Sequence, residues 1–207
     1  MRNVLKLLLV LACAALALAG CSAVKTSQIA PDYATRYRTQ VKRIVVLTMP
    51  APANDRDVAG MWSTIGKRYV NQKFDYIAKA TAFTLAPEGM DRVKALCTEA
   101  DLAPVEGVLW FLPTELQQGA DVKATVSAKL LACPDGSEVW SAQGEGTWPS
   151  KDDQLTQFTA DYVHELGPQV EPYVAPTFRL LKSVLDTLPN PTLTDADKDD
   201  KIEVISE

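Results

Sequence analysis

Hydrophobic and polar positions follow two different periods along this chain, and the period indicates which element each segment forms. The clearest period-two segment is 122–130, where valine, alanine and leucine alternate with lysine, threonine and serine. Such alternation is typical of a β-strand with one buried face. A Pro-Asp-Gly sequence follows at 134–136, and it favours a tight turn because proline fixes φ and glycine accepts positive φ. We therefore predict a β-hairpin with one buried face in this part of the chain.

Other segments predict further strands and several helices. Val58, Met61 and Ile65 recur at the spacing of one helical face, and Asp57 stands at the position of an N-cap. In the last predicted helix Pro176 should introduce a kink or delay the start. The predicted strands are 41–49, 75–85 and 107–114, and the predicted helices are about 58–73, 91–100, 158–166 and 170–188.

This order of elements predicts one α/β (α+β) domain over residues 41–188. We expect a two- or three-layer sandwich in which helices pack on a mixed β-sheet of about five strands. The segments "KRIVVLTM", "VLWF" and "KLLACPDGSEVWSAQG" together resemble small periplasmic lipoprotein domains, such as penicillin-binding-protein activators and curli-secretion lipoproteins. That resemblance supports the fold rather than an activity.

The N-terminus has the pattern of an export signal. Arg2 and Lys6 precede an uninterrupted apolar run at 7–19, which is too short to cross a bilayer of about 30 Å as a helix. The run ends in Leu18-Ala19-Gly20-Cys21, which resembles the lipobox of bacterial lipoprotein precursors. The resemblance implies a signal peptide at 1–20 and a covalent diacylglycerol and N-acyl chain on Cys21. An uncleaved signal anchor, or an ordinary signal peptide followed by an unmodified Cys21, remains as the alternative.

The lipid anchor and the charge together suggest a location and exclude one class of partner. In lipoproteins of bacteria with two membranes, serine after the modified cysteine permits sorting to the outer membrane, so Ser22 implies an outer-membrane, periplasm-facing protein. Removal of residues 1–20 takes two of the 21 basic residues and none of the 26 acidic residues, which leaves 19 − 26 = −7. This acidic balance argues against nucleic acid as a partner. We expect contact with the membrane through the lipid.

The two ends of the mature chain are predicted to lie outside the domain. Residues 21–40 are polar and lack a period, so we interpret them as a flexible tether. Residues 189–207 are acidic and predict a disordered tail. Within the tail Asp195, Asp197 and Asp199 occupy positions 1, 3 and 5 of an EF-hand-like loop, a weak calcium candidate because glycine and glutamate are missing at positions 6 and 12.

Two cysteines remain for the folded domain, since Cys13 lies in the signal and Cys21 is assigned to the lipid. In an oxidising compartment we expect Cys97 and Cys133 to form a disulfide. Two buried thiols or a redox pair are the alternatives, although the chain has no C-x-x-C motif.

The sequence predicts no catalytic residues, no resident metal and no cofactor. His164 is the only histidine, which excludes an H-E-x-x-H zinc site, and the chain contains no G-x-S-x-G or P-loop motif. We therefore expect a non-catalytic interaction or scaffold module that binds an envelope protein, with Trp110 or Trp148 in its binding surface. The first alternative is a small-molecule or lipid carrier whose cavity is lined by Trp62, Phe83 and Phe178. An envelope hydrolase with two separated carboxylates is the third possibility.

Overall fold

The computed structural model describes residues 23–50, 55–102 and 104–206. In this part of the chain six strands form one sheet in the order β1-β6-β5-β4-β2-β3. The strands are β1 Val24–Ile29, β2 Arg43–Thr48, β3 Ile77–Phe83, β4 Gly107–Gln118, β5 Asp121–Ala132 and β6 Glu138–Pro149. The predicted α/β sandwich with a mixed sheet is therefore confirmed.

The sheet is mixed because its two halves are connected differently. β4, β5 and β6 follow one another through short turns and pair antiparallel, and β1 adds antiparallel to β6. β2 lies parallel to both β3 and β4. Parallel neighbours need a crossover, and a helix supplies it between β2 and β3 and again between β3 and β4.

Five helices occur among the described residues. They are α1 Arg56–Lys73, α2 Met90–Thr98, α3 Thr156–Leu166, α4 Glu171–Leu185 and α5 Asp195–Ser206. Helices α1 and α4 pack on one face of the sheet, and α3 packs against α4 and α1. The larger hydrophobic core lies between these helices and the sheet.

The other face of the sheet carries a smaller core under α2. Alternation along β2 divides its apolar side chains between the two faces: Ile44 and Val46 enter the larger core, whereas Val45 and Leu47 enter the smaller one. The fold thus has three layers at β2 and β4, where both faces are covered.

Local details of two helices differ from the prediction. The N-cap of α1 is Asp55 rather than Asp57, and its carboxylate accepts hydrogen bonds from the backbone N–H groups of Asp57 and Val58. Helix α4 begins at Glu171 and continues through Pro176, so this proline does not delay its start. Packing of α4 against the sheet outweighs the loss of one intrahelical hydrogen bond.

The flexible tether predicted at 21–40 is wrong for its described part. β1 pairs with β6, and Tyr33 and Tyr37 are buried in the larger core. The polar pattern misled the prediction because β1 is an edge strand whose side chains are mostly exposed. An edge strand is stabilised by backbone hydrogen bonds, which leave no hydrophobic period in the sequence.

The disordered tail predicted at 189–207 is also wrong, since α5 spans Asp195–Ser206 and contacts β3 and α1. Its buried residue is the charged Asp197. A helix that is docked through charge has no apolar stripe by which a sequence pattern could reveal it.

Candidate interaction surface

The face of β5 and β6 that points away from the larger core is a polar surface built from regular structure. Helix α2 covers the same face around β2, β4 and the C-terminal end of β5, so the side chains of β6 and of β5 up to Lys129 on this face stay partly or fully exposed. Cross-strand neighbours on this face are Lys123 with Thr147, Thr125 with Glu145, Ser127 with Gln143, and Lys129 with Ser141. We call these eight residues the open face.

Ion pairs connect the open face to the strands beside it. The Lys25 ammonium lies 2.9 Å from the Glu145 carboxylate, and Lys123 lies 2.9 Å from Glu115. The hydrogen bond from Lys25 holds the pKa of Glu145 below its ordinary value, and the bond to Glu115 raises the pKa of Lys123. Both shifts favour the charged forms of Glu145 and Lys123, so the open face presents charges of both signs.

The two tryptophans predicted for a binding surface lie on opposite faces of the sheet. Trp110 pairs with Lys129 in the β4–β5 register and so borders the open face, where its indole N–H donates to the Met49 carbonyl at 3.0 Å. Trp148 pairs with Val122 and packs against the larger core, on the face of the sheet that α1 and α4 cover. The structure therefore brings only Trp110 to the open face.

At one end of the sheet, the first described residues of the chain are hydrogen-bonded to β6. Val24 pairs with Gly144, and the backbone N–H of Glu145 donates to the Ala23 carbonyl at 2.8 Å. β6 continues from there to Pro149, beside the turn between β4 and β5. A shallow cleft of about 400 Å³ at this end is lined by Ala23, Lys25, Lys123, Glu145, Gly146, Thr147 and Trp148. We call this end of the sheet the N-terminal end.

The predicted lipidation and sorting residues, Cys21 and Ser22, lie outside the described residues. Their roles stay predictions, whereas the flexible tether expected after them is replaced by a strand. The strand β1 was the element that sequence reasoning missed, and its only sequence signal is a weak one, the β-branched residues among "VKTSQI".

The predicted disulfide between Cys97 and Cys133 is present, and it links α2 to the end of the β5 strand. Both half-cystines pack against the smaller core. The bond therefore holds α2 on the face of the sheet where fewer apolar residues are buried.

The three residues proposed to line a carrier cavity do not come together. Trp62 is fully buried in the larger core, and Phe83 lies beneath the Arg56 guanidinium at 5.8 Å. Phe178 instead lines a cleft of about 200 Å³ between α1, α3 and α4. This volume is below the roughly 300–1,000 Å³ of typical ligand pockets.

Aromatic rings dominate that small cleft. Phe158 packs against Tyr162 and Phe178 with ring centroids 4.8 and 4.7 Å apart. Burial raises the pKa of Tyr162 to about 12, although the nearby Arg68 opposes the shift. The arrangement is that of a packed aromatic cluster which joins three helices.

The aspartates of the weak calcium candidate are not arranged as a ligand set. They lie in a helix instead of a loop: Asp195 is exposed and pairs with Lys198, whereas Asp197 is buried against Lys42 and Arg43. Across residues 23–50, 55–102 and 104–206, no group of three or more His, Cys, Asp or Glu side chains could hold a metal ion.

His164 lies exposed near the C-terminal end of α3. Over the described part of the chain, no helix combines the length and the hydrophobicity that a membrane span requires.

Comparisons with known proteins identify the fold and no family. No protein-family model matches the chain, and no curated protein matches its sequence. Among solved structures, the PelC dodecamer from Paraburkholderia phytofirmans matches with a TM-score of 0.51 and 17% identity over 81% of this chain and 97% of that one. Lipoprotein GNA1162 from Neisseria meningitidis matches with a TM-score of 0.37 and 18% identity over 60% and 96%. At these identities the likeness to PelC shows the fold alone.

Proposed function

We propose that this chain is a lipid-anchored, non-catalytic interaction module of the bacterial cell envelope. Cys21 carries the diacylglycerol and the N-acyl chain, and Ser22 permits sorting to the outer membrane, where the domain faces the periplasm. The domain presents the open face to an envelope protein. Two features support the proposal: the lipobox pattern at the N-terminus and the exposed polar face of the sheet.

The observation that carries the proposal is the short distance along the chain between Cys21 and β1. Val24 is the third residue after Cys21, and three residues span at most about 11 Å. β6 extends five residues beyond the partner of Val24, which is about 17 Å of strand. Because the reach of about 11 Å is shorter than this overhang of about 17 Å, a lipid on Cys21 would hold the N-terminal end of the sheet close to the bilayer surface.

The anchor is tested by paired cysteine substitutions in the full-length protein expressed in a Gram-negative host. Cys21→Ser should abolish acylation of the mature N-terminal peptide, measured by mass spectrometry, and should remove the protein from the outer-membrane fraction. Cys13→Ser is the matched control and should leave both unchanged. An unacylated N-terminus in the native protein would contradict the lipid anchor.

The interaction surface is tested by photo-crosslinking in cells. A photoreactive phenylalanine at Ser127 or Gln143, on the open face, should capture one reproducible envelope protein. The control position is Gln157, which is exposed on α3, on the face of the sheet opposite to the open face. Equal capture from Gln157, or capture of no protein from the open face, would contradict the proposed surface.

A second copy of this chain is an additional candidate partner. The PelC structure with the similar fold is a dodecamer. β1 is an edge strand whose residues are mostly exposed, so its outer backbone groups are placed for pairing with another chain. Native mass spectrometry of the detergent-solubilised lipoprotein should then show oligomers, and a monomer at all concentrations would exclude this arrangement.

A further inference from the structure

Helix α5 is oriented with its charge inward and its largest apolar side chains outward. Its buried residue, Asp197, is 3% exposed, whereas Ile202 and Ile205 are 67% and 51% exposed. A helix held by hydrophobic packing would show the opposite orientation. The attachment of α5 therefore depends on polar contacts.

Asp197 is the centre of that attachment. Its carboxylate lies 2.6 Å from the Lys42 ammonium and 2.8 Å from the Arg43 guanidinium. The same carboxylate accepts hydrogen bonds from the backbone N–H and the hydroxyl of Thr194, at 2.8 and 2.7 Å. Removal of this carboxylate would take an anionic partner from each of two partly buried cations.

A second set of contacts lies one turn further along the helix. The Asp200 carboxylate accepts from Arg43 Nε at 2.7 Å and lies 3.7 Å from Lys79 of β3. Lys201 donates to the Phe74 carbonyl. Each of these contacts involves a charged side chain of α5. Weakening of the ion pairs should therefore weaken the attachment of the whole helix to the domain.

On the sheet side, Arg43 has a carboxylate partner that does not depend on α5. Glu106 accepts hydrogen bonds from the backbone N–H groups of Lys42 and Arg43, at 2.7 and 2.8 Å, and lies 3.3 Å from the Arg43 guanidinium. Arg43 would therefore keep a carboxylate if α5 moved away. Because Glu106 would still pair with Arg43, the free-energy cost of separating Arg43 from Asp197 and Asp200 is lower.

The chain just before α5 is fixed independently. Asn190 accepts from the backbone N–H of Asp75 and donates to its carboxylate, at 2.7 and 2.6 Å. The N–H of Thr192 donates to the Arg38 carbonyl at 2.8 Å. Movement would therefore be confined to the residues after Thr192.

The packing around α5 is open on both of its sides. A cleft of about 550 Å³ separates its Lys198–Ile202 side from Arg38 and residues 190–193. Another of about 360 Å³ lies between Val204 and Lys67 of α1. Beneath the helix is β3, the last strand of the sheet.

We propose that α5 is an electrostatically latched strap over the outer edge of β3, which detaches as one unit at residues 193–194 while the rest of the domain stays folded. The latch consists of Asp197 and Asp200 against Lys42, Arg43 and Lys79. Detachment uncovers a sheet edge, the type of backbone surface to which a further strand can add. This device is independent of the lipid anchor and of the open face.

Hydrogen exchange measured by mass spectrometry tests the strap on the full-length, detergent-solubilised lipoprotein. Asp197→Asn should accelerate exchange of the α5 amides at least tenfold, with exchange in β2 and β4 unchanged. Asp195→Asn is the matched control, because Asp195 lies in the same helical turn with a 98% exposed side chain and pairs with Lys198 of α5 itself. It should leave the exchange of α5 at the native rate.

Asp200→Asn and a salt titration of the native protein keep the test decisive if Asp197→Asn does not fold. Asp200→Asn, and a rise from 0.05 to 1 M NaCl, should each accelerate exchange in α5 at least threefold without an effect on β2. The proposal is overturned if α5 keeps its protection under both conditions. It is equally overturned if β2 and β4 lose protection together with α5, because α5 would then be an integral part of the domain.

Discussion

Gly66 and Gly60 lie in the same helix, and the structure predicts opposite effects when each is replaced by alanine. An ideal Cβ at Gly66 would lie 2.3 Å from Cε2 and 2.8 Å from Cζ of Phe111, and 3.3 Å from Cγ1 of Val46. Phe111 and Val46 are fully buried in the larger core. At Gly60 the nearest atom is Cε1 of Phe83 at 4.0 Å, an ordinary contact.

The expected magnitudes combine helix propensity with packing. Alanine in place of glycine in a helix interior stabilises by about 1 kcal/mol, and Gly60→Ala should gain about that amount. Gly66→Ala gains the same propensity, but overpacking of a tight core costs typically 1–3 kcal/mol and more where backbone must shift. Because a 2.3 Å approach forces either the fully buried Phe111 ring or α1 to shift, we expect Gly66→Ala to be about 2–4 kcal/mol less stable than Gly60→Ala.

Urea unfolding of both variants, followed by near-ultraviolet circular dichroism, measures the difference in the free energy of unfolding. Both substitutions add one methyl group to the same helix, so helix propensity cancels in the comparison. Equal stability of Gly66→Ala and Gly60→Ala would refute the argument that the glycine at position 66 sets the distance between α1 and the sheet.

Three further predictions concern other parts of the fold. The Cys97–Cys133 bond links residues 36 positions apart, and its reduction should lower the free energy of unfolding by about 4 kcal/mol and Tm by roughly 8–15 °C. Calorimetry of the native protein with and without reductant measures the change in Tm. A change below about 2 °C would contradict the prediction. Burial alone would raise the pKa of Asp197, but hydrogen bonds from Lys42 and Thr194 outweigh it and hold that pKa well below its ordinary value of 3.8. A carboxylate whose pKa is lower in the folded than in the unfolded protein stabilises the folded form at any pH above its unfolded pKa, and this stabilisation is lost as the pH falls through the folded pKa. Hydrogen exchange of the α5 amides, corrected for intrinsic rates, should therefore be unchanged between pH 7 and pH 5. Asp55→Ala should cost about 1 kcal/mol in urea unfolding through loss of the α1 N-cap, and a larger loss from Asp57→Ala would assign the cap to Asp57 instead.

The hairpin and the disulfide show how far local pattern determines this fold. The alternation at 122–130 predicted β5 and its buried face, and in the structure Val122, Val126 and Leu130 are fully buried. Two cysteines left for the folded domain, in a chain with the pattern of an export signal, were sufficient to predict their pairing. In both cases the signal lies in the residues themselves, because hydrophobic period and redox chemistry do not depend on distant parts of the chain.

The two segments that the sequence pattern misassigned share a physical cause. β1 is stabilised by backbone pairing with β6, and α5 by ion pairs with the start of β2, so neither has an apolar period. Backbone groups are the same in every residue, and the partner of a charge can lie far along the chain. Asp197 and Lys42, for example, are 155 positions apart.

By itself, the sequence determined the α/β class, the helices and strands with clear periods, and the Cys97–Cys133 bond, whereas lipidation of Cys21 stays a prediction. Only the tertiary structure decided that the chain enters the sheet from Val24, that the β5–β6 face stays open, and that the acidic C-terminus forms a helix docked by buried charge. The first group depends on local composition and period. The second depends on which backbone edges and which opposite charges the folded chain brings together.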